Sequence, residues 1–300
     1  MSGHFPSHSP SPSGGGQGGG HLNSPSPSGG GQGEGLVRNA TEGITPEAAG
    51  WTYLSFRMVR SRPGEELTGQ SGDEETALIW LGGTAEVAGF GQVGEREDVF
   101  TGKPWALLLP PGTTYRMRAL TPLHLAIVSA PAESTLPARL IRPDEVRVEV
   151  RGKGVTERKI HWILSERDPA ARLLLVEVLT PAGHWSTYPP HKHDKDKPGV
   201  ERALEELYYY RFNPEQGFAL QGIYTKPLPS PARGGGQGGG LNVAIRAHHD
   251  DLVLVPRGYH VVSAAPGYDC YYLNAMAGDV REWLFTTDPD HEWLMDWKKS

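Results

Sequence analysis

Three histidines and one glutamate carry the chemistry this chain can do. They are His191 and His193 in the run His191-Lys192-His193, then Glu206, then His260. Side chains alternate faces along an extended strand, so His-x-His presents both imidazoles to one side. A carboxylate from the next strand and an imidazole from a later one could complete a site of three nitrogens and one oxygen. Such a set suits one divalent first-row metal, with Zn, Mn and Fe all admissible. The same residues have plainer readings. His191 and His193 sit in a polar run that a surface loop could also hold, and Glu206 follows Glu205 and could be solvated. Alternation, however, puts Glu206, Tyr208 and Tyr210 on one strand face, a carboxylate followed by two phenols. His248 and His249 are rival imidazoles, read as loop residues; His184 and His291 are read as structural.

The elements that must position these residues are strands. Residues 77–87 (ALIWLGGTAEV) show two apolar runs around Gly82-Gly83, a hairpin signal. Residues 105–112 and 123–128 continue that series. A second series runs through 146–150, 159–164, 172–179, 206–211, 218–224, 252–255, 259–263, 270–274 and 282–286. Strand and turn spacing with almost no helical periodicity argues for an all-β sandwich or barrel in each half. The segment Leu107-Leu108-Leu109-Pro110-Pro111-Gly112 resembles Leu252-Val253-Leu254-Val255-Pro256-Arg257-Gly258, which suggests two copies of one barrel. Of the twelve histidines only His124 falls between residues 22 and 160, so only the C-terminal half can build a multi-histidine site.

Composition narrows the function class. Net charge is −6 without a basic run, which gives nucleic acid no footprint. Cys270 is the only cysteine, so a disulfide framework and a cysteine-based zinc site are excluded and a reducing compartment fits. No apolar run reaches membrane-span length, and the N-terminus lacks a signal-peptide core, so a cytoplasmic protein away from the membrane is expected. The tracts PSPSGGGQGGG (10–20) and PSPSGGGQGEG (25–35) make residues 1–35 a disordered tail in expectation, since Gly, Ser and Pro bury too little apolar surface to offset ordering entropy. The related tract at 229–240 is read as an expanded loop, tolerated because loop closure cost grows slowly with length.

His-x-His, a Glu on the next strand and a His just after Pro-x-Gly are similar to the two cupin motifs. Twelve residues separate His193 from Glu206, where the common cupin spacing is about four. Longer runs are more specific: Tyr188-Pro189-Pro190-His191-Lys192-His193-Asp194, Glu206-Leu207-Tyr208-Tyr209-Tyr210-Arg211-Phe212 and Val253-Leu254-Val255-Pro256-Arg257-Gly258-Tyr259-His260. With Tyr271-Tyr272-Leu273-Asn274 they resemble the 5-deoxy-glucuronate isomerase family, which accommodates the long insertion. The resemblance spans roughly residues 36–297.

That resemblance implies a bicupin: a jelly-roll-like barrel at 36–145 without a metal site, and a second at 146–300 holding one. It implies conversion of 5-deoxy-D-glucuronate to 2-deoxy-5-keto-D-gluconate in myo-inositol catabolism. Moving a proton between adjacent carbons needs a Lewis acid and a group that shuttles the proton. Tyr208, Tyr210 and Tyr259 are the expected shuttles, while Tyr188, Gln221, Arg257, Tyr271, Asn274 and Arg281 are the expected contacts to a uronate-type sugar acid. Arg211 points away from the Glu206 face. Two alternatives stay open: an Fe(II) cupin dioxygenase, marked by oxygen uptake, and a non-catalytic sugar-binding bicupin, marked by binding without turnover. The sequence leaves a homo-oligomer open.

Overall fold

A computed structural model describes residues 35–134, 136–226 and 240–297. The expected tail at 1–35 and loop at 229–240 lie outside these residues, save Gly35 and Gly240. The described chain is all-β, with two α-helices of four residues each, Pro46–Ala49 and Leu294–Trp297. None of its helices is long and apolar enough to cross a membrane.

The strands form four antiparallel sheets. In the N-terminal half, a five-stranded sheet runs in the order Arg139–Ile141, Ala106–Leu109, Glu74–Gly82, Leu123–Pro131, Ser55–Ser61, and faces a four-stranded sheet ordered Glu66–Gln70, Thr114–Ala119, Ala85–Val87, Gly91–Val93. The C-terminal half repeats the arrangement. Its larger sheet contains Asp251–Val255, Glu205–Asn213, Asp269–Ala277 and Leu174–Thr180 in succession; its smaller one contains Asn242–His248, Phe218–Tyr224, Tyr259–Ala264 and Trp185–Lys192. Each pair of sheets encloses its own apolar core, as in a jelly roll.

Strand alternation explains how one sheet serves two cores. On Glu205–Asn213, Leu207 and Tyr209 pack into the cluster joining the two halves, whereas Tyr208, Tyr210 and Phe212 face the C-terminal barrel interior. Sheets covered on both faces read as near-continuous apolar runs, as 273–277 does. The halves are also joined by charge. Arg96 Nη1 donates to Glu177 Oε2 at 3.0 Å, both side chains being buried, and Glu177 also accepts from Tyr271 Oη at 2.7 Å.

Three sequence expectations shift. Residues 77–87 do not form a hairpin: Glu74–Gly82 pairs with Ala106–Leu109 and Leu123–Pro131, while Ala85–Val87 belongs to the opposite sheet. A crossing between sheets uses the same Gly-Gly break as a turn, and Gly83 at φ +85 makes it possible. Residues 282–285 are not a strand; only Thr286–Thr287 is. Val37–Asn39 joins the C-terminal sheet against Asp251–Val255, a pairing that local periodicity cannot reveal.

Candidate metal centre

The chain bends sharply where the first two imidazoles emerge. Trp185–Lys192 pairs with Tyr259–Ala264 at Trp185 and Ser186 and again at His191, with a register shift between. The intervening Thr187 has φ 54, rare for a β-branched residue. This bulge sets His191 directly opposite His260. His193 lies just past the strand end. Its backbone accepts from Leu204 N at 2.9 Å, and its Nδ1 donates to the Leu204 carbonyl at 3.1 Å.

The long insertion after His193 is pinned by one buried carboxylate. Glu201 Oε1 accepts from the backbone N–H groups of Asp194 and Lys195, each at 3.0 Å, and from Lys192 Nζ at 2.6 Å. Asp194 Oδ2 in turn accepts from Gly258 N at 2.8 Å, tying this loop to the turn before His260. Gly258 has φ +91, and a Cβ there would meet the Tyr224 carbonyl at 2.4 Å, so glycine is required twice over.

Three imidazoles converge, with their ligand atoms all within 4.8 Å of one another. Glu206 reaches the same point: its Oε2 is 3.0 Å from His193 Nε2 and 2.9 Å from His260 Nε2. His193, His260 and Glu206 are all buried. Both histidines spend an Nδ1–H on a carbonyl, His193 on Leu204 and His260 on Gly258 at 3.2 Å, leaving each Nε2 as the nitrogen that faces the carboxylate. His260 Nε2 has no hydrogen-bond partner despite its burial. Burial would raise the Glu206 carboxyl, but the imidazoles of His260 and His193 hold it well below its ordinary range. Burial would likewise lower His193, yet Glu206 raises it. The pocket therefore draws positive charge. A proton on His193 satisfies one facing nitrogen; a divalent cation among the four groups satisfies all. The donor set fits such an ion, and Asn274 Nδ2 donating to Glu206 Oε1 at 2.5 Å is the outer hydrogen bond that metal-ligating carboxylates usually have.

A cavity opens beside this cluster. Its walls include His191, Glu206, Tyr208, Tyr272, Asn274, Thr187, Arg158 and Trp283. Of the other residues expected from sequence, Tyr208 and Asn274 line it. Tyr210 stacks on Tyr208 with ring centres 6.1 Å apart and donates to Gln221 Oε1 at 2.8 Å, placing both behind the wall. Tyr188 packs against Trp185 outside it, and Tyr259 packs against Tyr224. Arg257 is exposed at the turn. Tyr271 faces the opposite side of its strand, bonded to Glu177, and Arg281 spends its donors on the carbonyls of Leu173, Asp168 and Ser165. His184 Nδ1 bonds the Glu157 carbonyl, and His249 Nδ1 accepts from Phe212 N, so neither joins the cluster.

Several wall residues escaped sequence reasoning, among them Tyr272, Thr187, Arg158, Arg151 and Trp283. Tyr272 was within reach, since it shares a strand face with Asn274. Burial pushes its phenol up to about 12. Phe285, from the stretch expected as strand, packs at a tilt against His191 with ring centres 4.5 Å apart.

Residues 32–294 match the KduI/IolB family. The 5-deoxy-glucuronate isomerase of Geobacillus thermodenitrificans (strain NG80-2) is 45% identical over 260 residues, covering 85% of this chain and 91% of the relative. That of Bacillus subtilis (strain 168) is 34% identical, covering 84% and 92%. The crystal structure of an IolB-like protein from Salmonella typhimurium LT2 matches with a TM-score of 0.80 at 40% identity, over 87% of this chain and 99% of that one. Oxalate decarboxylase from Lactobacillus farciminis, at 12% identity and a TM-score of 0.59 over 87% and 90%, shares the cupin-like fold. Matched along most of its length, and to relatives that it covers almost end to end, the chain belongs to the KduI/IolB family.

Proposed function

We propose that this protein is a 5-deoxy-glucuronate isomerase of the cytoplasm, converting 5-deoxy-D-glucuronate into 2-deoxy-5-keto-D-gluconate in myo-inositol catabolism. The observation that carries the reading is the cluster of facing acceptors, His191, His193, Glu206 and His260, at the wall of a cavity lined with phenols. These four residues would hold one Zn, Mn or Fe ion. Bound there, a divalent ion supplies Lewis-acid polarisation of the carbonyl and stabilises charge on the neighbouring oxygen.

The chain's own residues do the rest. Asn274 fixes the Glu206 carboxylate. Tyr208 stands beside Glu206, and burial first, then that carboxylate, push its phenol well above its ordinary value. The Tyr208 hydroxyl, on the cavity wall, is placed to donate to a substrate oxygen on which charge develops. Tyr272 and Thr187, 3.2 Å apart, add a second hydroxyl pair at the wall. Trp283 lines the cavity and packs at a tilt against Trp162.

The proposal includes a division of labour: residues 36–145, apart from the strand Val37–Asn39 that joins the C-terminal sheet, form a barrel without a metal site and 146–300 the barrel with one. Equivalent strands support it. Thr76 pairs with Leu109 three residues before Gly112, as Glu206 pairs with Val255 three residues before Gly258. Thr76 thus stands where Glu206 stands, and Thr114 where His260 stands.

Anaerobic incubation of purified protein with 5-deoxy-glucuronate, followed by NMR, tests the reading. Conversion to the ketose without oxygen is expected. Absence of conversion by metal-loaded protein, or turnover that requires oxygen, would overturn it.

A further inference from the structure

We propose that Arg158 binds the carboxylate of the sugar acid, with Arg151 as a second cation at the rim. The inference rests on the isomerase reading and names the residue that would make that site selective for acids.

Arg158 opens the strand Arg158–Leu164 and is 5% exposed. Its side chain lines the cavity that His191, Glu206, Tyr208 and Asn274 also line. Burying a guanidinium is costly unless an anion or a full set of acceptors compensates. Elsewhere in this protein such compensation is visible: Arg96 is paired with Glu177, and Arg281 has three carbonyls. Arg158 has neither. Nη1 donates to the Thr156 carbonyl at 2.9 Å and Nη2 makes a long contact of 3.4 Å to the Tyr188 carbonyl. Among the described residues no carboxylate lies within ion-pair distance of it. A guanidinium offers five N–H donors, so with two acceptor contacts most of its donors are left for a ligand. Burial pulls its basicity down, and the Tyr272 phenol and the Glu149 carboxylate, which lies beyond ion-pair distance, offset this only in part.

Arg151 lines the same cavity but shares its charge with Glu149, at 2.7 Å. It adds positive potential at the rim rather than a vacant fork. The cations named from sequence are placed elsewhere. Arg211 donates to His124 Nδ1 at 2.7 Å, and Arg281 is committed to backbone carbonyls. One wall of the cavity is thus cationic and another carries the acceptor cluster. A short acid with its carboxylate on Arg158 presents its far end, the aldehyde and its neighbouring carbon, towards His191, Glu206 and Tyr208. Neutral aldoses of the same size leave Arg158 buried and unpaired, which selects against them.

The test is Arg158→Gln, which keeps an N–H for the Thr156 carbonyl and removes the charge. Losing a buried charge-assisted contact should lower kcat/KM for 5-deoxy-glucuronate on the order of 30-fold or more. Metal content and Tm should stay at wild-type values, and kcat/KM for the C6 carboxamide of the substrate should change less than threefold. Arg158→Lys should recover part of the loss on the acid only. Unchanged kcat/KM on the acid, or an equal loss on acid and amide, would overturn the proposal. If Arg158→Gln does not fold, the wild-type protein decides: D-glucuronate should inhibit at least tenfold more tightly than D-glucose, and equal inhibition would refute the role. Wild-type protein inactive on the acid would instead sink the isomerase reading, on which this proposal stands.

Discussion

His260 Nε2 and Glu206 Oε2 lie 2.9 Å apart in a buried site, yet the imidazole nitrogen has no hydrogen-bond partner. The reason is upstream in the chain. His260 Nδ1 donates to the Gly258 carbonyl, which fixes the tautomer and turns a lone pair towards the carboxylate. Two acceptors held face to face need a cation between them, and the Gly258 turn holds one of them in place.

Asn274 steadies that arrangement through Glu206 Oε1. Asn274→Ala is expected to weaken divalent metal affinity about 10- to 100-fold, the usual effect of removing an outer-shell partner. Competition against a chelator of known affinity measures it, and wild-type affinity in the variant would show that Glu206 needs no such support.

Two adjacent tyrosines on one strand face should behave differently. Tyr208 lines the cavity, whereas the Tyr210 hydroxyl is committed to Gln221. Tyr208→Phe should lower kcat about 10²-fold with metal content intact, in the range of a general acid's contribution. Tyr210→Phe should change kcat by less than about fivefold. Steady-state kinetics on both variants separates the roles.

Much of this site was legible because strand alternation is a strict rule. The Glu206, Tyr208, Tyr210 series follows from a period of two along Glu205–Asn213, whereas His191 and His193 converge although their strand ends at Lys192. What alternation does not supply is phase between neighbours in a doubly buried strand. Tyr271 and Tyr272 are adjacent and lie on opposite faces: Tyr272 shares the Asn274 face and meets the cavity, while the packed structure alone shows that Tyr271 meets Glu177. Long-range partners are equally invisible. Arg158 lies 33 residues before His191 in the sequence and lines the same cavity only through sheet pairing. The Gly82-Gly83 break looked like a hairpin because a turn and a crossing between sheets ask the same freedom of the backbone.

The Arg96–Glu177 pair makes a prediction about stability. Arg96→Ala strands a buried carboxylate and should cost about 3–5 kcal/mol in denaturant unfolding, the range for breaking one side of a buried pair. Burial raises the Glu177 carboxyl but Arg96 more than offsets this, so its folded-state pKa lies below its ordinary value. Its contribution is therefore complete above the ordinary carboxylate range and is lost as pH falls towards the folded-state value. Unfolding free energy measured from pH 7 to pH 3 should decline more in the wild type than in Glu177→Gln.

The Gly-rich tracts should be dispensable for turnover. Phe218–Tyr224 and Asn242–His248 pair in unbroken register, and Thr225 N still donates to the Leu241 carbonyl at 2.9 Å. Shortening residues 229–240 to a tight loop, or removal of residues 1–35, should leave kcat within about twofold. Loss of turnover in either folded variant would give those segments a part in the site.

Chelator-stripped protein titrated with a divalent metal under anaerobic conditions, with ketose formation from 5-deoxy-glucuronate as the readout, tests the central claim most directly. Turnover should rise linearly and level off at one metal per chain, and the His191→Ala/His193→Ala variant should neither bind that equivalent nor turn over. Full turnover by the stripped protein, or a full metal equivalent retained by the double variant, would contradict the assignment of His191, His193, Glu206 and His260.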